Sequence, residues 1–164
     1  MPMTGEGSNH YSLLELQAFA NQIYGGRPLV LVPYAYNVIF TGLAQNATAT
    51  QQLSITANAD FILTGLKYRA SVAATETVSN KVAAFVRVLI TDSGTNEQFT
   101  SGPVDLENYA TNGASQVGGL PYPRFISGRT ALTITATNFS PGAGQTYLLD
   151  LLLEGVLVRT YSAV

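Results

Sequence analysis

The stretch Thr130-Ala131-Leu132-Thr133-Ile134-Thr135-Ala136-Thr137-Asn138-Phe139 decides the fold class of this chain. Apolar residues occupy Leu132, Ile134 and Ala136, and threonines fill the positions between and after them. Because side chains of a β-strand point alternately to opposite faces, this alternation predicts a strand with one apolar and one threonine-rich face. Such a strand indicates an antiparallel sheet that packs on a core by one face.

Similar runs surround this stretch along the chain. Strands are predicted over Leu29 to Phe40, Gln51 to Thr56, Phe61 to Val72, Ala84 to Thr91 and Tyr147 to Val158, with a short strand near Gln98 to Leu106. Turn sequences rich in Gly, Asn, Asp and Ser separate them. No helix-length pattern intervenes between strands, which excludes parallel βαβ units. The sequence therefore predicts an all-β fold, an antiparallel β-sandwich or jelly roll of about seven to eight strands.

Two residues within these runs predict irregularities. Pro33 has no N–H to donate to a strand ladder, so it indicates an edge position or a bulge. Gly65 interrupts an otherwise regular strand pattern and predicts a β-bulge.

The segment 1–27 carries the convincing helix pattern of the chain. Ser12 followed by Glu15 fits a capping box, and Gly25 and Gly26 end the helix before Pro28. Apolar residues recur at helical spacing at Leu13, Leu16, Phe19, Ala20 and Ile23.

A short amphipathic helix is not stable alone, so it must pack on something. Two interpretations stay open: the helix packs on its own domain's sheet, or it forms an arm that docks on a neighbouring subunit. The expected organisation is an N-terminal arm with this helix over 1–27 and a β-sandwich domain over 28–164.

The composition favours assembly with other protein chains. The hydrophobic fraction is 46% and the charged fraction 11%, against about 25% charged residues in an average soluble domain. Either a membrane or a surface covered by other chains would explain so few charges. The longest apolar runs fall far short of the ~20 residues of a membrane helix, and the aromatic residues form no paired girdles. We therefore expect no membrane partner and a surface that is largely covered by other protein chains.

The charge balance argues against nucleic-acid binding. The net charge is −2, the isoelectric point is about 5.2, and the eight Lys and Arg residues are scattered singly. No basic surface is therefore expected that could neutralise phosphates. The beginning of the sequence lacks the basic-then-apolar order of a secretory signal, so we expect synthesis in the cytoplasm.

Residues for catalysis are sparse. The chain has no cysteine, and its only histidine is His10. Asp92-Ser93-Gly94 resembles one active-site loop of an aspartic protease, but that chemistry needs two facing loops, supplied by a second copy or by a symmetric dimer, and no second copy occurs in the chain. A polar β-turn is the alternative interpretation. We expect no enzyme activity, no cofactor and no metal site. Asp105 and Glu107 could share a cation, although solvated carboxylates are the simpler interpretation.

One stretch combines residue types that anchor interfaces. In Val117-Gly118-Gly119-Leu120-Pro121-Tyr122-Pro123-Arg124-Phe125, two prolines preset an extended loop, which lowers the entropy cost of presenting Tyr122, Arg124 and Phe125. Alternatively, Tyr122 and Phe125 plug one end of the sandwich. Together with the helix, this stretch supplies the interface candidates Leu13, Leu16, Phe19, Ile23, Pro121, Tyr122, Pro123, Arg124 and Phe125.

The order of several segments resembles the small jelly-roll virion proteins of tailed bacteriophages known as capsid decoration or cement proteins. The segments are Ala59 to Thr64, Val86 to Asp92, Gly102 to Asn108, Leu120 to Phe125 and Leu132 to Asn138, followed by an apolar C-terminal strand. The resemblance covers roughly residues 30 to 158. It implies a clamp on the outside of an icosahedral shell, often a dimer or trimer, whose partner is the phage major capsid protein and whose location is the virion surface.

Two other functions remain open on the sequence. One is a head-fibre, tail or receptor-binding virion module with the same fold, although no fibre-like repeat is visible. The other is a carbohydrate-binding β-sandwich, a class that commonly uses exposed aromatic platforms. The chain has no tryptophan, which counts against that class.

Overall fold

A computed structural model describes residues 11–72, 82–110, 119–142 and 145–161. Within them the predicted all-β fold is confirmed: two antiparallel sheets pack face to face, accompanied by one α-helix. The elements are α1 Leu13–Tyr24, β1 Leu29–Leu43, β2 Thr48–Ser54, β3 Asp60–Ser71, β4 Val86–Asp92, β5 Glu97–Gln98, β6 Val104–Asp105, a 3₁₀ helix Leu106–Asn108, β7 Gly119–Ile126, β8 Ala131–Asn138 and β9 Tyr147–Thr160.

The chain winds back and forth between the two sheets. The first sheet has the order β1-β9-β3-β7, and the second has the order β2-β8-β4-β5 with β6 also paired to β4. Apart from the short hairpin segments β5 and β6, each strand therefore lies in the opposite sheet from the strand before it. This alternation is the winding of a jelly roll.

One predicted strand and one predicted loop need correction. The single short strand expected near Gln98 to Leu106 is divided into β5 and β6, each of two residues. The proline-containing stretch expected to be a loop is β7, at the edge of the first sheet. Prolines are compatible with a strand at an edge, since their nitrogen can face away from the ladder.

The stretch that predicts the fold forms the second strand of the second sheet. β8 pairs with β2 on one side and β4 on the other, and its apolar residues Leu132, Ile134 and Ala136 are buried. Its threonines line the outer face, where Thr137 and Thr135 lie within hydrogen-bonding distance of Thr48 and Thr50 across the ladder. The main core fills the space between this sheet and the first.

The irregularities expected at Pro33 and Gly65 are both present. Pro33 lies in β1, which is an edge strand of the first sheet. The register of β3 shifts between Leu63 and Gly65 against both of its neighbours, which is the signature of a bulge.

The helix begins and ends as its sequence predicts. The Ser12 N–H donates to Glu15 Oε2 at 2.8 Å, the Glu15 N–H donates to Ser12 Oγ at 3.2 Å, and Gly25 closes the helix in the left-handed conformation. Hydrogen bonds from the backbone and side chain of Ser12 lower the pKa of Glu15. Both halves of the capping box are therefore formed.

Of the two interpretations of the helix, the structure supports packing on its own domain. Leu16 and Ala20 are buried against Ile62 of β3 and against Val156 and Val158 of β9, on the outer face of the first sheet. Phe19 is partly buried at the rim of this second core cluster. The helix thus covers part of the first sheet, whereas the outer face of the second sheet carries no described helix.

A buried amide fixes one corner of the sandwich. Asn138, at the end of β8, donates from Nδ2 to the carbonyl oxygens of Leu43 and Gln145 at 2.9 and 2.8 Å. Its Oδ1 accepts the N–H of Ser140 at 2.9 Å. Its backbone also pairs with Asn46 and Ala47, just before β2. One residue therefore ties together the end of β1, the start of β2 and the approach to β9.

Candidate interaction surface along strand β7

The interface candidates on the helix have different surroundings. Leu16 is buried within the protein's own second core cluster, and Phe19 is partly buried at its rim. Leu13 and Ile23 are exposed, as is Leu14 beside them. Helical spacing alone predicts one stripe for these residues, but only its middle, at Leu16 and Ala20, is covered by the sheet.

The candidates on β7 also divide into two groups. Phe125 lies under the helix, where its ring meets the ring of Tyr24 edge-on at 6.1 Å between centroids. Pro121 to Arg124 instead line an open groove. Strand alternation separates Phe125 from its neighbour Arg124, because consecutive side chains leave on opposite faces.

The groove has a volume of about 350 Å³ and lies where the free edges of the two sheets approach each other. One wall is the edge strand β7, and the other comes from the segment around β5 and from the residues after the 3₁₀ helix. Its lining is mostly aromatic and apolar: Phe99, Tyr109, Leu120, Pro121, Tyr122, Pro123 and Arg124.

Tyr122 is the most exposed large apolar side chain of the described residues, with 82% of its surface accessible. It stands between Pro121 and Pro123, whose rings restrict the backbone on both sides. An aromatic ring held outward on a stiff backbone loses little conformational freedom on contact with a partner. The expectation that Tyr122 plugs an end of the sandwich is therefore wrong, since its ring points into solvent.

Arg124 is the charged group of the groove. Its guanidinium carbon lies 4.1 Å from the centroid of the Phe99 ring, a cation–π stack, and its Nη2 lies 3.5 Å from Glu97 Oε2. The ion pair is half exposed and long, so it contributes little by itself. The stack holds the guanidinium against the groove wall, and a guanidinium has five N–H donors, of which the contact with Glu97 uses one.

Tyr109 completes the wall beside Arg124. Burial raises the pKa of Tyr109 to about 12, while the positive charge of Arg124 acts in the opposite direction. The hydroxyl is therefore neutral at physiological pH and able both to donate and to accept a hydrogen bond.

Sequence reasoning missed Phe99 and Tyr109. Phe99 is the lone aromatic residue of the polar stretch from Ser93 to Gly102, and Tyr109 follows a short acidic segment. An isolated aromatic in a polar stretch is a usable signal that it packs on something. No local pattern, however, could show that both residues face β7, because the contact joins segments more than ten residues apart.

Hydrogen bonds hold β7 in place near both of its ends. The Tyr11 hydroxyl donates to the Leu120 carbonyl. Asp60 accepts from the hydroxyl of Tyr24 and, at 2.7 Å, from the N–H of Gly128 just after β7. Burial and the hydrogen bond to Asp60 raise the pKa of Tyr24. These contacts fix the strand that carries Tyr122 and Arg124.

The acidic motifs have structural roles in the described residues. Asp92 is buried, and its Oδ1 accepts the Gly94 N–H at 2.8 Å, which confirms the polar-turn interpretation of Asp92-Ser93-Gly94. Asp105 caps the 3₁₀ helix, with Oδ1 accepting the Glu107 N–H at 3.1 Å. His10 lies outside the described residues. No group of three or more His, Asp or Glu side chains gathers within the described ranges, and no described helix is long and apolar enough to cross a membrane.

Comparison with known proteins assigns no family. No protein-family model matches the chain, and no curated protein matches it. Among solved structures, it is similar to part of dimeric latent PorU from Porphyromonas gingivalis, at 13% sequence identity and a TM-score of 0.30. The match covers 78% of this chain and 13% of that chain. A likeness this weak supports no assignment of function.

Proposed function

We propose that this protein is a virion structural protein that binds the outside of an icosahedral phage capsid and stabilises it by bridging major capsid subunits. The observation that carries the proposal is the outward Tyr122, held between two prolines at the rim of an aromatic groove. Tyrosine and arginine are among the residue types enriched at the energetic hot spots of protein interfaces. The jelly-roll winding and the segment order that resembles decoration proteins support the same function.

The mechanism is thermodynamic. A protein that binds the assembled shell but not its separated subunits shifts the equilibrium towards the shell by mass action. Attachment at more than one point strengthens the effect without any single tight contact. The side chains that make the contact in this proposal are Tyr122, Pro121 and Arg124.

The test uses shells of the major capsid protein that lack this chain, to which purified protein is added. Tyr122→Ala and Arg124→Ala are each expected to lower shell occupancy at least tenfold with little change in melting temperature. Tyr161→Ala is the matched control for the tyrosine, since Tyr161 is 63% exposed away from the groove. Arg87→Ala is the control for the arginine, since Arg87 also stacks on a phenylalanine, Phe139, at 4.8 Å. Equal occupancy by all four variants would reject the β7 surface, and no binding by the unaltered protein would reject the function.

A carbohydrate-binding module, the second candidate, is favoured by one specific observation. Three aromatic rings, of Phe99, Tyr109 and Tyr122, line a single groove that also holds the Arg124 guanidinium. Sugar rings stack on aromatic faces and take hydrogen bonds from such donors. Titration with a panel of oligosaccharides, followed by the change in tyrosine fluorescence, tests this function. Saturable quenching that Tyr122→Ala abolishes would favour it over shell attachment.

A receptor-binding or head-fibre role would use the same groove on a different part of the virion. The copy number of the chain in purified particles separates the two roles. A count in simple proportion to the major capsid protein supports a shell clamp, and about a dozen copies or fewer supports a fibre or tail role.

A further inference from the structure

The edge strands of the sandwich differ in how well they are closed to further pairing. β7 carries Pro121 and Pro123, and β1 is interrupted by Pro33 and by a bulge between Phe40 and Leu43. β5 and β6 are only two residues long. Prolines, bulges and short length are the devices by which natural sheets prevent edge-to-edge pairing.

β2 has none of these devices. Its sequence Thr48-Ala49-Thr50-Gln51-Gln52-Leu53-Ser54 contains no charge and no proline. It pairs with β8 residue for residue without a bulge, and no described strand pairs with its other side. It is therefore a regular, uncharged edge that is open to another strand.

Hydrogen bonds at both ends of β2 show which residues face that open side. The Ala47 carbonyl accepts from Asn138, and the Ile55 N–H donates to the Thr130 carbonyl, so odd-numbered residues face β8. The main-chain N–H and C=O of a strand residue point to the same side, and that side alternates along the strand. The groups that face away from β8 are consequently those of Thr48, Thr50, Gln52 and Ser54.

From this arrangement we infer that two copies of the protein form a symmetric dimer by antiparallel pairing of their β2 strands. A two-fold axis perpendicular to the sheet places the inner face of one subunit's second sheet beside the inner face of the other's. Even-numbered residues of one β2 must then pair with even-numbered residues of the other. Among these, the register centred on Gln51 pairs all four outward residues. Thr48 then lies opposite Ser54, and Thr50 opposite Gln52.

A second copy fits this edge better than an unrelated strand because β2 is complementary to itself in that register. The small Ala49 lies opposite the larger, partly buried Leu53, and polar residues oppose polar residues on the outer face. Gln51 lies opposite its own copy at the axis. The dimer joins two second sheets into one, with the threonine-rich face of β2 and β8 continuous across it. This dimer goes beyond the proposed function, which requires only the β7 surface.

The register makes a sharp cross-linking test possible because the chain has no cysteine. In the inferred dimer, Gln51 and its copy form a non-hydrogen-bonded pair with about 4.5 Å between Cα atoms, within disulfide range. Gln51→Cys is expected to form a covalent dimer rapidly under mild oxidation. Tyr122→Cys, at a more exposed site, is the control and should remain largely monomeric. Equal cross-linking of both variants would overturn the inference.

Charge substitutions test the pairing without a disulfide. With both Thr50→Lys and Gln52→Lys, like charges face each other across the interface and the dimer should weaken at least tenfold. With Thr50→Lys and Gln52→Glu, opposite charges face each other and the dimer should return. Light scattering over a range of concentrations gives the mass, and circular dichroism verifies the fold. An unaltered protein that remains monomeric throughout, or a dimer indifferent to both double variants, would refute β2 pairing. Shell binding by a monomer would leave the proposed function standing, whereas a dimer that does not bind shells would reject only that function.

Discussion

The two sheets of this protein end in edges of opposite character. At the outer edge of the first sheet, β7 carries two prolines and presents its side chains, Tyr122 and Arg124, towards a groove. At the outer edge of the second sheet, β2 is uncharged, regular and free of proline, and what it presents is its backbone. The difference teaches that one sandwich can separate two kinds of contact. A side-chain surface suits recognition of a different protein or ligand, and a backbone edge suits a second copy of the chain.

The largest effect is expected from removing the prolines of β7, which makes it a proline-free edge strand like β2. Pro121→Thr combined with Pro123→Thr restores two backbone N–H groups at the edge of the first sheet. If the prolines close that edge, the double variant associates beyond the dimer, because each subunit then has two open edges. Light scattering at increasing concentration should show masses above that of a dimer.

The control for this change is Pro2→Thr, which removes a proline far from β7 in sequence. Association of the control variant to the same extent, or an unchanged mass of the double variant, would contradict the role of the prolines.

The next effect concerns the corner that precedes β2. Asn138→Ala removes three hydrogen bonds and leaves the carbonyls of Leu43 and Gln145 without this donor. An unsatisfied buried polar group is costly, so unfolding free energy should fall by about 3 kcal/mol. Thr137→Ala, one residue away on the outer face, should cost about 0.5 kcal/mol. Urea denaturation measures both, and equal losses would show that the corner is not fixed by the amide.

The smallest expected effect is a pH dependence of stability, which comes from a tyrosine in the groove beside β7 and has no counterpart in β2. Burial raises the pKa of Tyr109 to about 12, against an ordinary value of 10.0, whereas β2 contains no titratable group. A group whose pKa is raised by folding stabilises the folded state below its unfolded pKa and loses that contribution as pH rises through the folded value. Stability should therefore fall between about pH 10 and pH 12.

Tyr109→Phe keeps the ring and removes the titrating hydroxyl, so its stability should fall less over this range. Part of the fall should persist, because the pKa of Tyr24 is raised in the same direction. Thermal unfolding at a series of alkaline pH values measures the difference. Identical profiles for the variant and the unaltered protein would contradict the effect of burial on the Tyr109 hydroxyl.

Several features of the two sheets and of the helix were predicted from the local sequence. The alternation of Leu132, Ile134 and Ala136 with threonines was sufficient to predict β8, because the apolar and polar faces of a strand follow from its own residues. The capping box at Ser12 and Glu15 and the bulge at Gly65 were equally local. Tyr122 and Arg124 stood out as interface candidates because prolines beside an aromatic and an arginine form a recognisable cluster.

Other features were beyond local patterns. The first residues of β2 escaped prediction because Thr48 to Thr50 contain no large apolar residue, and pairing with β8 makes them a strand. The stretch with two prolines was expected to be a loop, and only the position of β7 at a sheet edge makes a strand compatible with them.

What the sequence by itself determined is the class of fold and the helix with its two ends. Each depends on neighbours within a few positions, where propensity and periodicity act. The tertiary structure decided that the helix covers its own sheet, that Phe125 turns away from Tyr122, and that Phe99 and Tyr109 complete the groove. It also decided which edges remain open. These features depend on contacts between distant segments, whose side chains come together only when the two sheets close around one core.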